Sequence, residues 1–198
     1  MPKLVDHTAA KEKIAVAAWH VLRRGGLKEL SVRSIAEEAD LPVGTLRYYF
    51  PKQAELLLFS MELITQRVRL RLKAVSQNYT PQEKLRYALF QFLPLDLERQ
   101  LEMEVWLHFI SETHNGHMRQ VRAETQEAIQ GLFSRLLADI RQAYKLDVDV
   151  AYEANILHAL VDGLTLHYLA TPNNKTRQHI TDTLDRHLGE LYAKGAST

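Results

Sequence analysis

Apolar residues recur along this chain at the three-to-four spacing of helices, and no segment alternates with the period of two that a half-buried strand requires. Ile14, Ala17, Ala18, Val21 and Leu22 stand at i, i+3, i+4, i+7 and i+8, on one face of a helix expected from about Thr8 to Arg24. Gly25 and Gly26 are expected to end it, because glycine accepts the left-handed conformation that a helix terminus often needs. Ser31 is a natural cap for a second helix, whose Val32, Ile35, Ala36 and Ala39 share one side. Asp40-Leu41-Pro42 interrupts the pattern. A third helix is expected from about Val43 to Tyr49, with Pro42 in a first turn that has no use for its amide hydrogen.

A long helix should follow from about Pro51 to Ser76, with Leu56, Leu57, Ser60, Leu63, Ile64 and Val68 on its inner side. Thr80-Pro81-Gln82-Glu83 combines a capping box with proline at the first helical position, so a helix starts there, carries Leu85, Ala88, Leu89 and Phe92, and stops near Pro94. The next helical stretch, broken near Arg99 or continuous, reaches Thr113, and Asn115-Gly116 forms a turn. Helices over about Met118 to Tyr144, Asp149 to Ala170 and Lys175 to Ala193 complete the chain, the last two separated by Thr171-Pro172-Asn173-Asn174. The fold class is therefore all-α, with nine or ten helices and no internal repeat.

The second and third helices are the part with chemical content. Leu46 and Phe50, at i and i+4, can pack inward on Ile35 and Ala39, which leaves Val43, Thr45, Arg47 and Tyr48 turned outward. A helix held on one face and bare on the other suits the major groove of B-DNA, where each base pair shows a distinct edge. Arg47 can give paired donors to guanine, and Thr45 can meet a thymine methyl or a phosphate. Gly44 lets backbone and DNA approach closely, and Tyr49 and Lys52 would reach phosphates, which sets register without reading sequence. Ser31, Arg33 and Pro42 complete the candidate DNA surface. The competing reading is a plain helical hairpin.

These residues resemble the TetR/AcrR family of bacterial transcriptional regulators over about residues 8–68. The shared pattern is Ile35-Ala36-Glu37-Glu38-Ala39, a short turn, then Gly44-Thr45-Leu46-Arg47-Tyr48-Tyr49-Phe50 and a nearby lysine. Asp40 stands where the family usually has glycine, Pro42 where it has serine, Arg47 at a usual tyrosine, and Gln53 where a phosphate-contacting lysine is common. Arg47 would thus alter base preference. Leu46-Arg47-Tyr48-Tyr49-Phe50-Pro51, Val105-Trp106-Leu107-His108-Phe109 and Val161-Asp162-Gly163-Leu164 are similar to the branch with a BetI-like C-terminal domain. The resemblance implies a three-helix DNA-binding domain at residues 1–52 and a helical effector-binding and dimerisation domain at 53–198. It implies a repressor that binds a palindromic double-stranded operator as a homodimer and answers to a small molecule of unknown identity.

Phe59, Leu63, Tyr87, Phe90, Leu93, Met103, Trp106, Phe109 and Phe133 are candidate pocket residues, with Tyr87, Glu104 and His108 supplying polarity. For any single one of them simple core filling is the favoured reading. For the dimer, the stripe Ile129, Phe133, Leu136, Ile140 and Tyr144 on one long helix, with Gly131 for close approach, would join Leu157, Val161, Leu164 and Tyr168 on the next. Ile156, Leu160 and His167 lie beside that second stripe, and His158 and Asp162 are spaced as an i, i+4 pair.

Charge supports the division of labour. Residues 1–76 carry 13 Lys/Arg against 8 Asp/Glu, and residues 77–198 carry 12 against 16, so the basic front is the part expected to meet a polyanion. Arg67, Arg69, Arg71 and Lys73 read as a solvated face, since Arg67 lies roughly 22 Å along the helix from Lys52. Arg23 and Arg24 are ambiguous. Without cysteine the chain has neither disulfides nor thiolate sites. The best histidine cluster, His114-Asn115-Gly116-His117 near Glu112, spans a turn and matches no standard metal spacing. No metal or cofactor is expected. No nucleotide-binding or hydrolase motif argues for an enzyme. The start lacks an apolar leader and no run approaches a membrane span, so the expectation is a bacterial cytoplasmic protein without membrane contact. The alternative function is a helical protein-interaction adaptor whose DNA motif is vestigial.

Overall fold

A computed structural model describes residues 7–111 and 116–193 of the 198. Among these residues there are nine helices and no strand: α1 (His7–Glu29), α2 (Val32–Glu38), α3 (Val43–Tyr49), α4 (Gln53–Lys73), α5 (Pro81–Phe90), α6 (Leu97–Ser111), α7 (Gly116–Tyr144), α8 (Val150–Ala170) and α9 (Asn174–Ala193). None is long and apolar enough to cross a membrane.

The ends follow from local chemistry. Gly26 breaks α1 with φ 66° and ψ −165°, but helix resumes to Glu29, so the two glycines make a kink where the sequence suggests a terminus. α4 ends at Lys73, short of Ser76, and α6 runs unbroken through Arg99. Thr80 and Glu83 form the reciprocal capping box the sequence predicts, with the Glu83 amide donating to Thr80 Oγ1 at 3.2 Å and the Thr80 amide to Glu83 Oε2 at 2.7 Å. Those bonds, the Thr80 amide's above all, hold the Glu83 carboxyl below its ordinary range. A depressed carboxyl stabilises the fold above the unfolded-state pKa and ceases to do so as pH falls through the folded one. Thr80→Ala is expected to cost about 1 kcal/mol by urea denaturation at neutral pH. The Glu83→Gln deficit relative to wild type should vanish in acid.

The chain clusters into two compact units, residues 1–69 with 104–118 and residues 70–103 with 119–198. α4 begins just after residue 52, where the sequence suggests a division, and the two compact units part later, within α4 after Arg69 and within α6 after Met103. In the first unit Ile14, Ala15, Ala18, Trp19, Val21 and Leu22 of α1 are buried, as are Ile35, Leu46, Phe50, Leu56, Ile64 and Phe109. The second unit has a contiguous core from α5, α7, α8 and α9, including Leu85, Leu89, Phe133, Leu137, Leu157, Ile180, Leu184 and Leu188. Phe92 meets Phe133 edge-on, with ring centres 5.5 Å apart.

Two basic pairs change the reading of the charges. The Arg67 guanidinium lies 5.1 Å from the centre of the Trp19 ring. Arg71 makes a two-pronged bond to Glu102 at 3.0 and 2.6 Å, and Glu102 is wholly buried. The run from Arg67 to Lys73 is thus no uniform solvated face, because of its four basic residues only Arg69 and Lys73 are exposed. The Tyr87 hydroxyl donates to the Arg71 carbonyl at 2.9 Å, so one turn of α4 is bound to both α5 and α6 within the second unit.

Candidate DNA-binding surface and regulatory region

The α2–α3 hairpin is fixed at every end. Ser31 caps α2 by accepting from the Ser34 amide at 3.1 Å, while Ser34 Oγ accepts from the Ser31 amide at 3.0 Å. At the other end the Asp40 amide donates to Glu37 and the Leu41 amide to Ala36, the paired bonds of a Schellman ending. That ending needs a left-handed residue, and Asp40 supplies it with φ 51°. A short polar side chain tolerates this geometry, which explains both the family's usual glycine and its replacement here. Pro42 opens α3, and the Thr45 amide donates to its carbonyl at 2.9 Å.

Within α3 the two faces separate cleanly. Leu46 and the following Phe50 are 2% and 4% exposed, whereas Tyr48 is 70% exposed and Val43 39%. Gly44 and Arg47 are also exposed, and Thr45 and Tyr49 are half-buried. A Cβ on Gly44 would meet nothing within 4 Å, so nothing inside the chain requires glycine there. Arg33, Pro42 and Lys52 are exposed too. The Ser31 hydroxyl is engaged in its cap. Arg23 and Arg24 are committed inside the first unit: Arg24 bonds Glu38 at 2.8 Å, bracing α1 on α2, and Arg23 lies 3.6 Å from Glu104 of α6.

Sequence reasoning missed how α1 meets this hairpin. His7 packs its ring on Tyr48 and Tyr49, with centres 6.4 and 5.7 Å away. Lys11, one turn on, lies 5.8 Å from the ring centres of both Phe50 and Phe59. The i, i+4 spacing of the two α1 residues was a usable signal, but nothing in sequence says which helix end they face.

The candidate pocket residues divide between the units. Phe59, Leu63, Trp106 and Phe109 belong to the first, where Trp106 and Phe109 stack at 5.8 Å. Tyr87, Phe90, Leu93, Met103 and Phe133 belong to the second, where Leu93 and Phe133 are fully buried and the Arg86 guanidinium lies 4.0 Å from the Phe90 ring centre. The Tyr87 hydroxyl is spent on the Arg71 carbonyl and Glu104 faces Arg23.

Of the residues the sequence offers for a dimer, Ile140, Leu157, Val161, Leu164 and Tyr168 are at most 4% exposed and sit in the second unit's own core. Gly131 and Leu136 are half-buried. The opposite side of α8 is the open one. Tyr152 and Leu166 are 60% and 50% exposed, and Ile156, Ala159, Gly163 and Ala170 continue their stripe. His158 Nε2 lies 3.8 Å from Asp162 Oδ2 on the flank. Glu112, His114 and Asn115 lie outside the described residues, and among those described no three acidic or histidine side chains could hold a metal ion.

An all-helical chain that seats a seven-residue helix with one side packed and the other bare has the architecture of a helix-turn-helix DNA-binding protein. Comparison with known proteins narrows that class. Residues 14–58 match the family model for bacterial regulatory proteins of the tetR family, and residues 81–193 that for the BetI-type transcriptional repressor C-terminal region. The HTH-type transcriptional regulator PksA of Bacillus subtilis is 35% identical over 194 residues, covering 96% of this chain and 94% of PksA. The nicotine-responsive transcriptional repressor HdnoR of Paenarthrobacter nicotinovorans is 25% identical, covering 88% of this chain and 91% of its own. A transcriptional regulator from Rhodococcus sp. superimposes with a TM-score of 0.80 at 26% identity over 91% of this chain and 95% of its own. The chain belongs to the TetR family of bacterial transcriptional regulators and carries a BetI-type C-terminal region. It is a DNA-binding transcriptional regulator.

Proposed function

We propose that this regulator represses transcription as a homodimer on a palindromic operator, and that a small molecule taken up by residues 53–198 modulates it. The exposed face of α3, held from behind by buried Leu46 and Phe50, carries the DNA half of the reading. Arg47 addresses guanine, Val43 and Thr45 meet base edges or methyls, and Gly44 lets the backbone approach. Tyr48, Tyr49, Lys52, Arg33, Pro42 and Ser31 line the phosphates on either side. Residues 1–52 hold this activity.

One α3 covers only a few base pairs, so a second copy is needed for a selective site. The outer stripe of α8 supports that partner. A helix with apolar stripes on two opposite sides has one for its own core and another to bury elsewhere. Gly163 sits mid-helix with nothing within 4 Å of a built Cβ, at a helix-propensity cost of about 1 kcal/mol. Close approach by a second α8 gives that glycine a reason the chain itself does not.

The nicotine-responsive relative and the aromatic side chains of residues 53–198 support an effector. α4 begins at Gln53, just after the recognition helix, so a ligand-dependent change in its tilt is the proposed route to α3. A ligand achieves this only by binding the two arrangements unequally.

The test is selection of random duplex DNA by the purified chain at two salt concentrations. A near-palindrome should be enriched, and Arg47→Ala should lose about 1–3 kcal/mol at one base position of each half, while Tyr49→Ala weakens all sequences alike. Failure to enrich any sequence, with both variants indistinguishable from wild type, would leave the adaptor reading in its place.

A further inference from the structure

The contact of His7 with α3 is not explained by core packing. His7 is exposed, as is most of Tyr48, and the two rings sit with Tyr49 in one cluster: Tyr48 and Tyr49 meet edge-on at 5.2 Å, and His7 meets Tyr49 edge-on at 5.7 Å. One turn further along α1, Lys11 is placed over Phe50 and Phe59. Three consecutive aromatics, Tyr48, Tyr49 and Phe50, are therefore met from one side of α1 by two nitrogen-bearing side chains. Phe50 is buried and belongs to the core, but Tyr48 and His7 remain in the open at the last turn of the recognition helix.

We infer that His7 is a further member of the DNA surface. Its ring fixes the rotamers of Tyr48 and Tyr49, and its ring N–H donates to a backbone phosphate at the outer edge of each half-site. The inference rests on the DNA-binding reading of α3. An imidazole keeps at least one N–H donor in either protonation state, so it can serve a phosphate oxygen throughout the neutral range. Phosphate contacts take half or more of the hydrogen bonds in protein–DNA complexes and set register without reading bases. The exposed cluster lies beside Arg47 at the end of α3, where such a register contact would fix how deeply the helix enters the groove. A purely structural His7 would need only its ring, which phenylalanine supplies.

The experiment uses the full chain and the operator it selects, with His7→Phe and His7→Ala measured for affinity and for phosphate-ethylation interference. In wild type, ethylation of one phosphate at the edge of each half-site should impair binding. His7→Phe should lose that interference and about tenfold in affinity, the equivalent of one charge-assisted hydrogen bond. His7→Ala should lose the same phosphate and blur the neighbouring ones, because the tyrosines are no longer held. If both variants keep wild-type affinity and the same interference pattern on a selected operator, His7 is not a DNA contact and the α3 reading stands. If wild type selects no operator, both readings fall together. Matching thermal unfolding of His7→Phe and wild type separates either outcome from a folding defect.

Discussion

Leu166→Glu is expected to leave the chain folded and yet to lower its affinity for a palindromic operator by about 10²- to 10⁴-fold. Leu166 is half exposed, and its neighbours on the stripe are Tyr152, Ala159 and Gly163, so a carboxylate there disturbs little inside one copy. Two copies meeting along this face would bring the new charges into a surface that must exclude water. α8 is about 31 Å long by its residue count, enough for its stripe to form the centre of an interface of the usual size, about 1,200–2,000 Å² in total. Loss of the proposed dimer would convert two linked half-site contacts into one, which removes the gain from effective concentration without touching α3. Sedimentation should show a monomer at micromolar concentration with an unchanged helical spectrum. A variant that remains dimeric and binds as wild type would remove the α8 stripe from the interface. Leu164→Glu offers the contrast: at 4% exposure within the core it should unfold the second unit.

The two leucines also show what the sequence could and could not say. Helix α8 carries apolar residues on two opposite sides, so periodicity announces a helix but does not tell which stripe faces inward; Leu157, Val161, Leu164 and Tyr168, which the sequence offers for the dimer, are used by the core. Where one face is polar the reading is secure. In the α2–α3 hairpin the Ser31 cap is legible because it acts within a few residues, and Leu46 and Phe50 are buried as their spacing requires, whereas the left-handed turn at Asp40 is not announced by the sequence. The capping box at Thr80 is equally local. Long-range partners left no such mark. Nothing about Arg24, Arg67 or Arg71 in isolation indicates Glu38, Trp19 or Glu102, and a spacing argument that treats α4 as a rod in water assigns its arginines to solvent. The return of α6 to the first unit is of the same kind, since it depends on how helices assemble and not on how they begin or end.

The Arg71–Glu102 pair gives a graded stability prediction. The Glu102 side chain is 0% exposed and that of Arg71 23%, so the two partners stand differently toward water. Arg71→Met would strand a carboxylate with no access to solvent, and breaking a buried pair in that way costs about 3–5 kcal/mol. At roughly 2–4 °C of melting temperature per kcal/mol for a chain of this size, the variant should melt on the order of 10 °C lower. Glu102→Gln should cost less, because the guanidinium left behind can still reach water and can donate to the amide oxygen. Removing both charges with Arg71→Met and Glu102→Leu should recover most of the loss, since apolar side chains of similar volume often replace a buried ion pair without penalty. That order, with the arginine variant worst and the double variant close to wild type, is what urea denaturation of the four proteins should return. A double variant as unstable as Arg71→Met would mean that the guanidinium does more than neutralise Glu102. In that case the clasp between α4, α5 and α6 would depend on the shape of the fork itself, through which the end of α4 is tied to the Tyr87 turn.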